Sequence, residues 1–292
     1  MKLKPALTPY LLILPALALL FFLFLYPIGW NVYLSFHDVE FQTFWKKWNF
    51  VGLENYRDLF NDAIFPRKFY KSLVVSASFV GGSVLGQFLI GLGLALILHR
   101  NFKGTGAFRV LITIPWILSD LVVAYIWLFL YQQNGAINGL LQSLSLPGVN
   151  WLGNQNMAIW SLVITNIWFG TPFTMLMMGS ALKTINPELY EAAAVDGANT
   201  WQTFRRITWV LLKPFVALNL ILITMWTTNL FALPLAMTRG GPLYATTTTA
   251  LYMYRYAFEF GKFSVGSSIG VLLFLFNIAA AAVYLRMLRR EG

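Results

Sequence analysis

The sequence predicts an all-α polytopic membrane protein with six transmembrane helices. Hydrophobic residues make up 58% of the 292 residues and charged residues only 11%, whereas soluble domains contain about 45–50% and about 25%. The excess lies in six apolar windows that together hold one formal charge, Asp120. Each window exceeds the ~20 residues that a helix needs to cross a bilayer, which excludes a soluble enzyme. The windows are residues 11–35, 72–98, 110–131, 157–182, 214–238 and 263–285.

The first window is interpreted as a membrane span and not as a cleaved signal peptide. Its apolar stretch is longer than the ~7–15 residues of a signal core, and no small-residue cleavage site follows it. Tyr26 and Trp30 lie near its end, where aromatic residues are typical of the membrane interface. In the second window, Gly82 and Gly86 have the small-xxx-small spacing that allows helices to approach closely.

Between the first two windows, the sequence predicts a short amphipathic helix on the outer surface. Leu53, Tyr56, Leu59 and Phe60 would share one helical face. The alternative is a solvated loop in which a few apolar residues are buried. Segment 132–157 reads as a turn-rich outer loop, since it contains two turn-forming pairs at 134–135 and 147–148.

Lysine and arginine residues predict that both termini lie in the cytoplasm. With this orientation, the inner segments carry 12 of these residues and the longer outer segments carry 9. Cytoplasmic loops are enriched in Lys and Arg, and Arg286, Arg289 and Arg290 form the strongest such cluster. This bias also explains the net charge of +10 without a nucleic-acid partner.

The chain lacks the residues that several classes of chemistry require. The chain has no cysteine, which excludes disulfides, thiolate metal sites and a cysteine nucleophile. His37 and His99 are far apart, so we expect no metal site, and without an acid–base cluster we expect no catalytic residue. Gly81 and Gly86 have the spacing of a phosphate-binding loop, but Gln87-Phe88 follows inside a span. Proton or sodium coupling would favour several intramembrane acids, and the windows hold only Asp120. The energy for any uphill transport is therefore expected from another subunit.

Segment 183–213 is predicted to be a compact pair of short helices on the cytoplasmic side. Asn186 and Pro187 provide a helix N-cap and a proline at the first helical position. Gly197 can end this helix in the left-handed conformation, and Asn199 with Gln202 forms a capping-box pair for the next helix. Trp201 and Phe204 would be exposed there, which indicates a docking partner.

At these residues the sequence resembles a known family. The string EAAAVDGA at 191–198, followed by Phe204, Ile207 and Pro214, is similar to the EAA coupling loop of binding-protein-dependent ABC importer permeases. The match is to the carbohydrate branch, the maltose and glycerol-3-phosphate-type permeases, which usually have Leu-Pro where this chain has Trp209-Val210. The residues that the resemblance assigns to coupling with the ATPase are Glu191, Ala192, Ala193, Asp196, Gly197, Ala198, Phe204 and Ile207.

The resemblance covers nearly the whole chain and implies a type I ABC importer permease fold, with 1–292 as a single transmembrane permease domain. It implies a second homologous permease subunit, two ATPase subunits that bind ATP and Mg, and an extracytoplasmic solute-binding protein. The chain itself would carry no cofactor. The implied function is ATP-driven import of a sugar or related polyol through a bacterial or archaeal cytoplasmic membrane.

Two alternatives belong to other classes. A stand-alone secondary transporter or channel would be favoured by inverted repeats and paired broken helices, and the sequence contains no internal repeat. A membrane-embedded enzyme would need an acid–base or metal cluster, which is not seen.

Polar and aromatic residues in three spans form a candidate substrate path. Asp120 is predicted to lie one helical turn after Trp116, and to accept hydrogen bonds from substrate hydroxyls or from a neighbouring helix. Gly170 and Pro172 are predicted to loosen the fourth span. Core packing is the alternative for each aromatic residue. No Lys or Arg lies within the windows, which favours a neutral sugar over a phosphate ester. The positions carried over from the maltose-type relatives are Trp116, Asp120, Phe169, Gly170, Phe173, Thr227 and Leu230.

Overall fold

The structure is a computed structural model that describes residues 8–61, 68–100 and 102–289. The described part is mainly α-helical and divides into two units. One unit comprises the described residues up to 61 together with 253–272, and the other comprises 68–252 together with 273–289. Among the basic residues used to predict the orientation, Lys2, Lys4, Arg67 and Arg290 lie outside the described residues.

Six membrane crossings can be assigned to the described residues. Five helical stretches are long and apolar enough to cross a membrane alone. The sixth is a pair of helices, α5 (Thr105–Ile117) and α6 (Asp120–Leu130), that are bent by 101°. With 13 and 11 residues, they rise about 20 and 16 Å, less than the ~30 Å hydrocarbon core, so we treat them as one broken span. The five stretches are Leu12–Ser35, Lys68–His99, Gln155–Leu182, Thr200–Asn229 and Phe263–Met287.

The first unit combines the N-terminal span with a small extramembrane layer. The residue that connects them is Ser35, whose carbonyl accepts a hydrogen bond from Asn55 (2.9 Å) and whose hydroxyl accepts one from Tyr56 (2.7 Å). The predicted short helix is present as α3, and Leu59 is its buried residue, whereas Leu53 is exposed. Its elements are α1 (Thr8–Leu20), a π-helical turn (Phe21–Leu25), α2 (Tyr26–Ser35), β1 (His37–Asp38) paired antiparallel with β2 (Asn49–Phe50), a 3-10 turn (Phe41–Thr43) and α3 (Glu54–Phe60).

In the second unit, the long helices α4 (Lys68–His99) and α8 (Gln155–Leu182) pack closely along their lengths. Glycines permit this approach. A Cβ atom at Gly86 would overlap Ile167, and one at Gly91 would lie 2.5 Å from the Cβ atom of Thr174. The predicted close approach at Gly82 and Gly86 is thus confirmed. The remaining helices of this unit are α7 (Ala136–Ser143), α9 (Pro187–Val195), α10 (Thr200–Thr203), α11 (Trp209–Asn229) and α12 (Ala232–Thr238), whereas α13 (Thr249–Tyr254) and α14 (Phe263–Arg289) have residues in both units.

Two buried apolar cores form on this helix pair. The first combines α4 and α8 with α6 and α12, and includes Phe79, Val123, Leu162 and Leu233. The second combines α4 and α8 with α11, and includes Leu92, Met178, Leu182, Ile185 and Leu212. The second core lies where α8 leads into segment 183–213, so it supports that segment.

The glycine contacts predict a difference between two neighbouring positions of α4. Gly91→Ala should destabilise the protein by about 1–3 kcal/mol, because overpacking forces the helices apart. Gly93→Ala is the matched control, since an added Cβ there meets nothing within 4 Å and alanine favours the helix. Thermal unfolding of both variants in detergent would measure this, and equal midpoints would contradict the packing argument.

Candidate substrate path and coupling loop

The third span is broken between α5 and α6. Leu118 and Ser119 have extended backbones with ψ angles of 154° and 151°. The Ser119 hydroxyl then caps a new helix by accepting a hydrogen bond from the Val122 N–H at 3.3 Å. Asp120 is therefore the first residue of α6, and the prediction that it lies one turn after Trp116 on a continuous helix is wrong. The sequence contains the capping signal, but the apolar residues around it conceal the break.

The Asp120 carboxylate lies at the N-terminus of α6. Its Oδ1 atom accepts a hydrogen bond from the Leu121 N–H at 3.0 Å, and the unpaired N–H groups of a first helical turn favour a negative charge. Within the described residues, no side chain of another helix forms a hydrogen bond with it. The predicted alternative of an interhelical pair thus finds no partner there, and carboxylate lone pairs remain available to a ligand.

A second break divides the fifth window. Helix α11 ends at Asn229, Leu230 has an extended backbone with a ψ angle of 106°, and α12 begins at Ala232. The prediction of one helix over 214–238 is therefore wrong. Leu230 packs against the first core, as do Leu118 from the other break and Phe169 from α8. The two breaks thus border the same core.

Three aromatic side chains from α5, α8 and α11 form a row near these breaks. The ring centroids of Trp116 and Phe173 are 5.7 Å apart, and those of Phe173 and Trp226 are 4.6 Å apart. Trp116 is 42% exposed and Trp226 51% exposed. The predicted path omits Trp226, although its position one helical turn before Leu230 could have indicated it.

Two predicted path residues instead hold the helices together. Thr227 is only 4% exposed, and its hydroxyl accepts a hydrogen bond from the Asn166 amide at 3.4 Å. A Cβ atom at Gly170 would collide with Gln87, whose amide donates to the Asn166 carbonyl at 3.0 Å. Since α8 runs unbroken through Pro172, the prediction that the backbone loosens there is wrong.

Segment 183–213 contains the two short helices that the sequence predicts. The Asn186 side chain caps α9 by accepting from the Glu188 N–H at 3.1 Å. Gly197 has a φ angle of +73°, which allows the Ala198 N–H to donate to the Ala193 carbonyl at 2.9 Å. The reciprocal capping box at α10 is also present, and both of its hydrogen bonds are 2.9 Å long.

This helix pair is anchored to the second core. The hydroxyl groups of Tyr190 and Thr208 share a hydrogen bond of 3.2 Å, and Ile185 and Ile207 pack into the core. The helical run Thr200–Asn229 is continuous through a π-helical turn at Phe204–Thr208. With Trp209-Val210 in place of Leu-Pro, no proline interrupts it at these positions. Thus α10 and the fifth span form one rod.

One face of the pair is open to solution. Val195 is 88% exposed and Trp201 67% exposed, and the Trp201 ring stacks on Phe204 at a centroid distance of 5.7 Å. Ala193 is buried, so it supports the turn and does not face a partner. Among the described residues, no group of three His, Asp or Glu side chains is placed to hold a metal ion. Val195 and Trp201 do not belong to the predicted coupling set. The exposed members of that set are Glu191, Ala192, Asp196 and Gly197.

Comparison with known proteins now identifies the family. Residues 87–290 match the family described as the binding-protein-dependent transport system inner membrane component. The chain belongs to this family. A trehalose/maltose transport system permease protein of Thermococcus litoralis is 35% identical over 98% of this chain and 95% of that protein. A sulfoquinovosyl glycerol transport system permease protein of Agrobacterium fabrum is 35% identical over 96% of this chain and 90% of that protein.

A solved structure confirms the fold of this permease. The crystal structure of a bacterial ABC transporter involved in the import of the acidic polysaccharide alginate contains a chain that matches with a TM-score of 0.81. The match covers 98% of this chain and 96% of that chain at 22% identity. The breaks at Leu118 and Leu230 resemble a feature that is also found in stand-alone transporters, but family membership favours the permease interpretation over that alternative.

The hydrogen bond between Asn166 and Thr227 predicts that Thr227 has a structural role. Thr227→Val should lower the free energy of unfolding by about 1–3 kcal/mol, because it leaves the buried Asn166 amide without its acceptor. Thr227→Ser keeps the hydroxyl group and should restore most of this stability. Thermal unfolding of the two variants provides the comparison. A valine variant as stable as the serine variant would show that the hydrogen bond contributes nothing.

Proposed function

We propose that the chain is the permease subunit of an ATP-driven importer for a sugar or related polyol, and that ATP is hydrolysed on a separate subunit. The observation that carries the proposal is the exposed helix pair α9–α10, which is capped at both helices and continuous with a membrane span. In a chain of the binding-protein-dependent family, this helix pair would provide the surface on which an ATPase subunit docks, and movement of that subunit would be transmitted to the membrane span. We assign no catalytic residue and no cofactor to the chain itself.

A sugar or polyol substrate is supported by the chemistry of the path and by the names of the relatives. The row Trp116, Phe173 and Trp226 offers aromatic faces, which cover the apolar face of a sugar ring. The Asp120 carboxylate can accept hydrogen bonds from two hydroxyl groups, and it lies beside the unpaired N–H groups at the N-terminus of α6. The relatives in Thermococcus and Agrobacterium are named for carbohydrates or a sugar glycoside.

The proposed partners follow from the family and from the exposed loop. A second related permease subunit would complete the pore, a binding protein would deliver the substrate, and two ATPase subunits would bind ATP and Mg. Glu191 is exposed on the docking face and would meet a basic residue of the ATPase. Closure of the ATPase pair would move both coupling loops and convert the pore from inward-open to outward-open.

The docking role also requires that α9–α10 lie in the cytoplasm. Both termini would then be cytoplasmic, as the distribution of Lys and Arg predicts. The protein would reside in the cytoplasmic membrane of a bacterium or archaeon, and segment 132–157 would face outward.

The test of this function is purification of the tagged chain in mild detergent, followed by reconstitution with its binding protein. We expect an ATPase subunit to copurify in stoichiometric amount and a labelled sugar to accumulate only when ATP is present. Accumulation by the chain alone, driven by an ion gradient, would identify a stand-alone transporter instead.

The left-handed turn of the coupling loop yields a sharp prediction. Gly197→Val should reduce ATP-dependent uptake at least tenfold, because a β-branched residue is strained at positive φ, whereas space for the side chain is open. Gly197→Asn is the matched control, since asparagine tolerates this conformation, and should retain most of the uptake. Both variants should reach the membrane in normal amount. Full uptake by the valine variant would contradict the docking role of the loop.

The carboxylate at the first break provides the second prediction. Asp120→Ala should lower uptake about tenfold or more, because a charge-assisted hydrogen bond contributes about 1.5–3 kcal/mol. The yield of the assembled complex and the substrate affinity of the isolated binding protein should not change. A fall in yield instead of uptake would indicate a structural role for the carboxylate.

The aromatic row provides a further prediction with a matched control. Trp226→Leu should lower uptake because it removes one aromatic face of the row, whereas the control Trp160→Leu should leave uptake unchanged. Trp160 is exposed on α8 to a similar extent and does not belong to the row.

A further inference from the structure

A basic cavity lies between the ends of α4, α5 and α8, next to the coupling loop. It has a volume of about 280 Å³ and contains one cationic or imidazole side chain from each helix end: His99, Arg109 and Lys183. No acidic residue lines it. Within the part of the chain that the structure describes, none of the three forms an ion pair. The cavity therefore carries an uncompensated positive charge.

The cavity also contains neutral hydrogen-bond donors. The Ser180 hydroxyl lines it and has no hydrogen bond to another described residue. Gly106, in the first turn of the 13-residue helix α5, lines it as well, and N–H groups in a first turn lack helical partners. A guanidinium group, an ammonium group and a hydroxyl group together form a donor set for phosphate oxygens.

The surroundings of the cavity are largely apolar. Its other wall consists of apolar residues, including Leu98, Met175 and Leu176. On the neighbouring surfaces of α4 and α5, Ile97 and Phe108 are exposed, and such apolar side chains suit contact with acyl chains. The volume is just below the ~300–1,000 Å³ of small-ligand pockets, so it admits a headgroup and not a whole lipid.

We infer that this cavity binds the phosphate headgroup of an anionic phospholipid. The leaflet is the one on the coupling-loop side, which is the cytoplasmic leaflet if the proposed function is correct. Basic pockets between membrane helices on that side suit such headgroups. Since Lys183 directly follows α8 and begins the coupling loop, the bound lipid would fix the helix ends from which the loop starts.

The test measures lipid retention by the purified complex, with all the subunits that copurify, in nanodiscs of phosphatidylcholine and phosphatidylglycerol. The parent complex should retain phosphatidylglycerol in preference to phosphatidylcholine. The double variant Arg109→Gln, Lys183→Gln should weaken this preference about thirtyfold, the change that corresponds to two charges at about 1 kcal/mol each. The charge-conserving variant Arg109→Lys, Lys183→Arg should restore most of it.

The matched control is Lys103→Gln, Arg205→Gln, which removes the same charge from exposed positions on the same side that do not line the cavity. An equal loss in the control would overturn the proposal in favour of diffuse attraction. Loss of the ATPase subunit with unchanged lipid retention would assign the cavity to a protein partner. Displacement of the lipid by millimolar inorganic phosphate would assign it to a soluble anion. Thermal unfolding of each variant checks that the fold is intact.

The lipid measurement needs no transport substrate. Selective lipid retention can therefore be absent while uptake is observed, or present while uptake is absent. The lipid site and the transport function are thus tested separately.

Discussion

The close packing of α4 against α8 is the interaction on which the rest of the second unit depends. No water is available inside a bilayer to separate or solvate the helices, so their association relies on contact between small residues and on interhelical hydrogen bonds. Gly86 and Gly91 provide the close contact, and Gln87 adds a hydrogen bond to the backbone of α8. Both buried cores use this pair, so the broken helices and the coupling loop are attached to the same support.

The distance between the two candidate sites is spanned by one continuous helical rod. Thr200–Asn229 has 30 residues and therefore extends about 45 Å. Its first turn carries Trp201 on the exposed face of α9–α10, and its last turn carries Trp226 in the aromatic row. A displacement at the coupling loop can thus reach the path along one helical run, which contains the π-helical turn at Phe204–Thr208 and Pro214 within α11. The break at Leu230 lies just beyond the aromatic row, where the chain can change direction as the rod moves.

The sequence is sufficient to predict features that depend on local chemistry. The caps at Asn186 and Asn199 and the left-handed Gly197 are encoded within a few residues, and the spacing of Gly82 and Gly86 indicates a close approach without identifying α8 as its partner. The two helix breaks were not predicted, because hydropathy averages over a window and does not distinguish a continuous helix from two half-helices. Whether the Thr227 side chain faces the core, and whether Trp226 contacts Phe173, depend on how α11 is rotated about its own axis where it packs against α8. That rotation is set by packing between residues distant in sequence.

The central claim is that the exposed face of α9–α10 is where an ATPase subunit docks, and site-specific cross-linking tests it most directly. The chain has no cysteine, so Val195→Cys places one thiol at a strongly exposed position of the proposed face, and Gly148→Cys places one in segment 132–157, which the proposal assigns to the other side of the membrane. With a short bifunctional reagent in membranes, the account predicts that the thiol at 195 forms a cross-link to the ATPase subunit and that its yield changes when ATP is added. The thiol at 148 should form none. Absence of a cross-link at 195, or an equal yield at 148, would contradict the assignment.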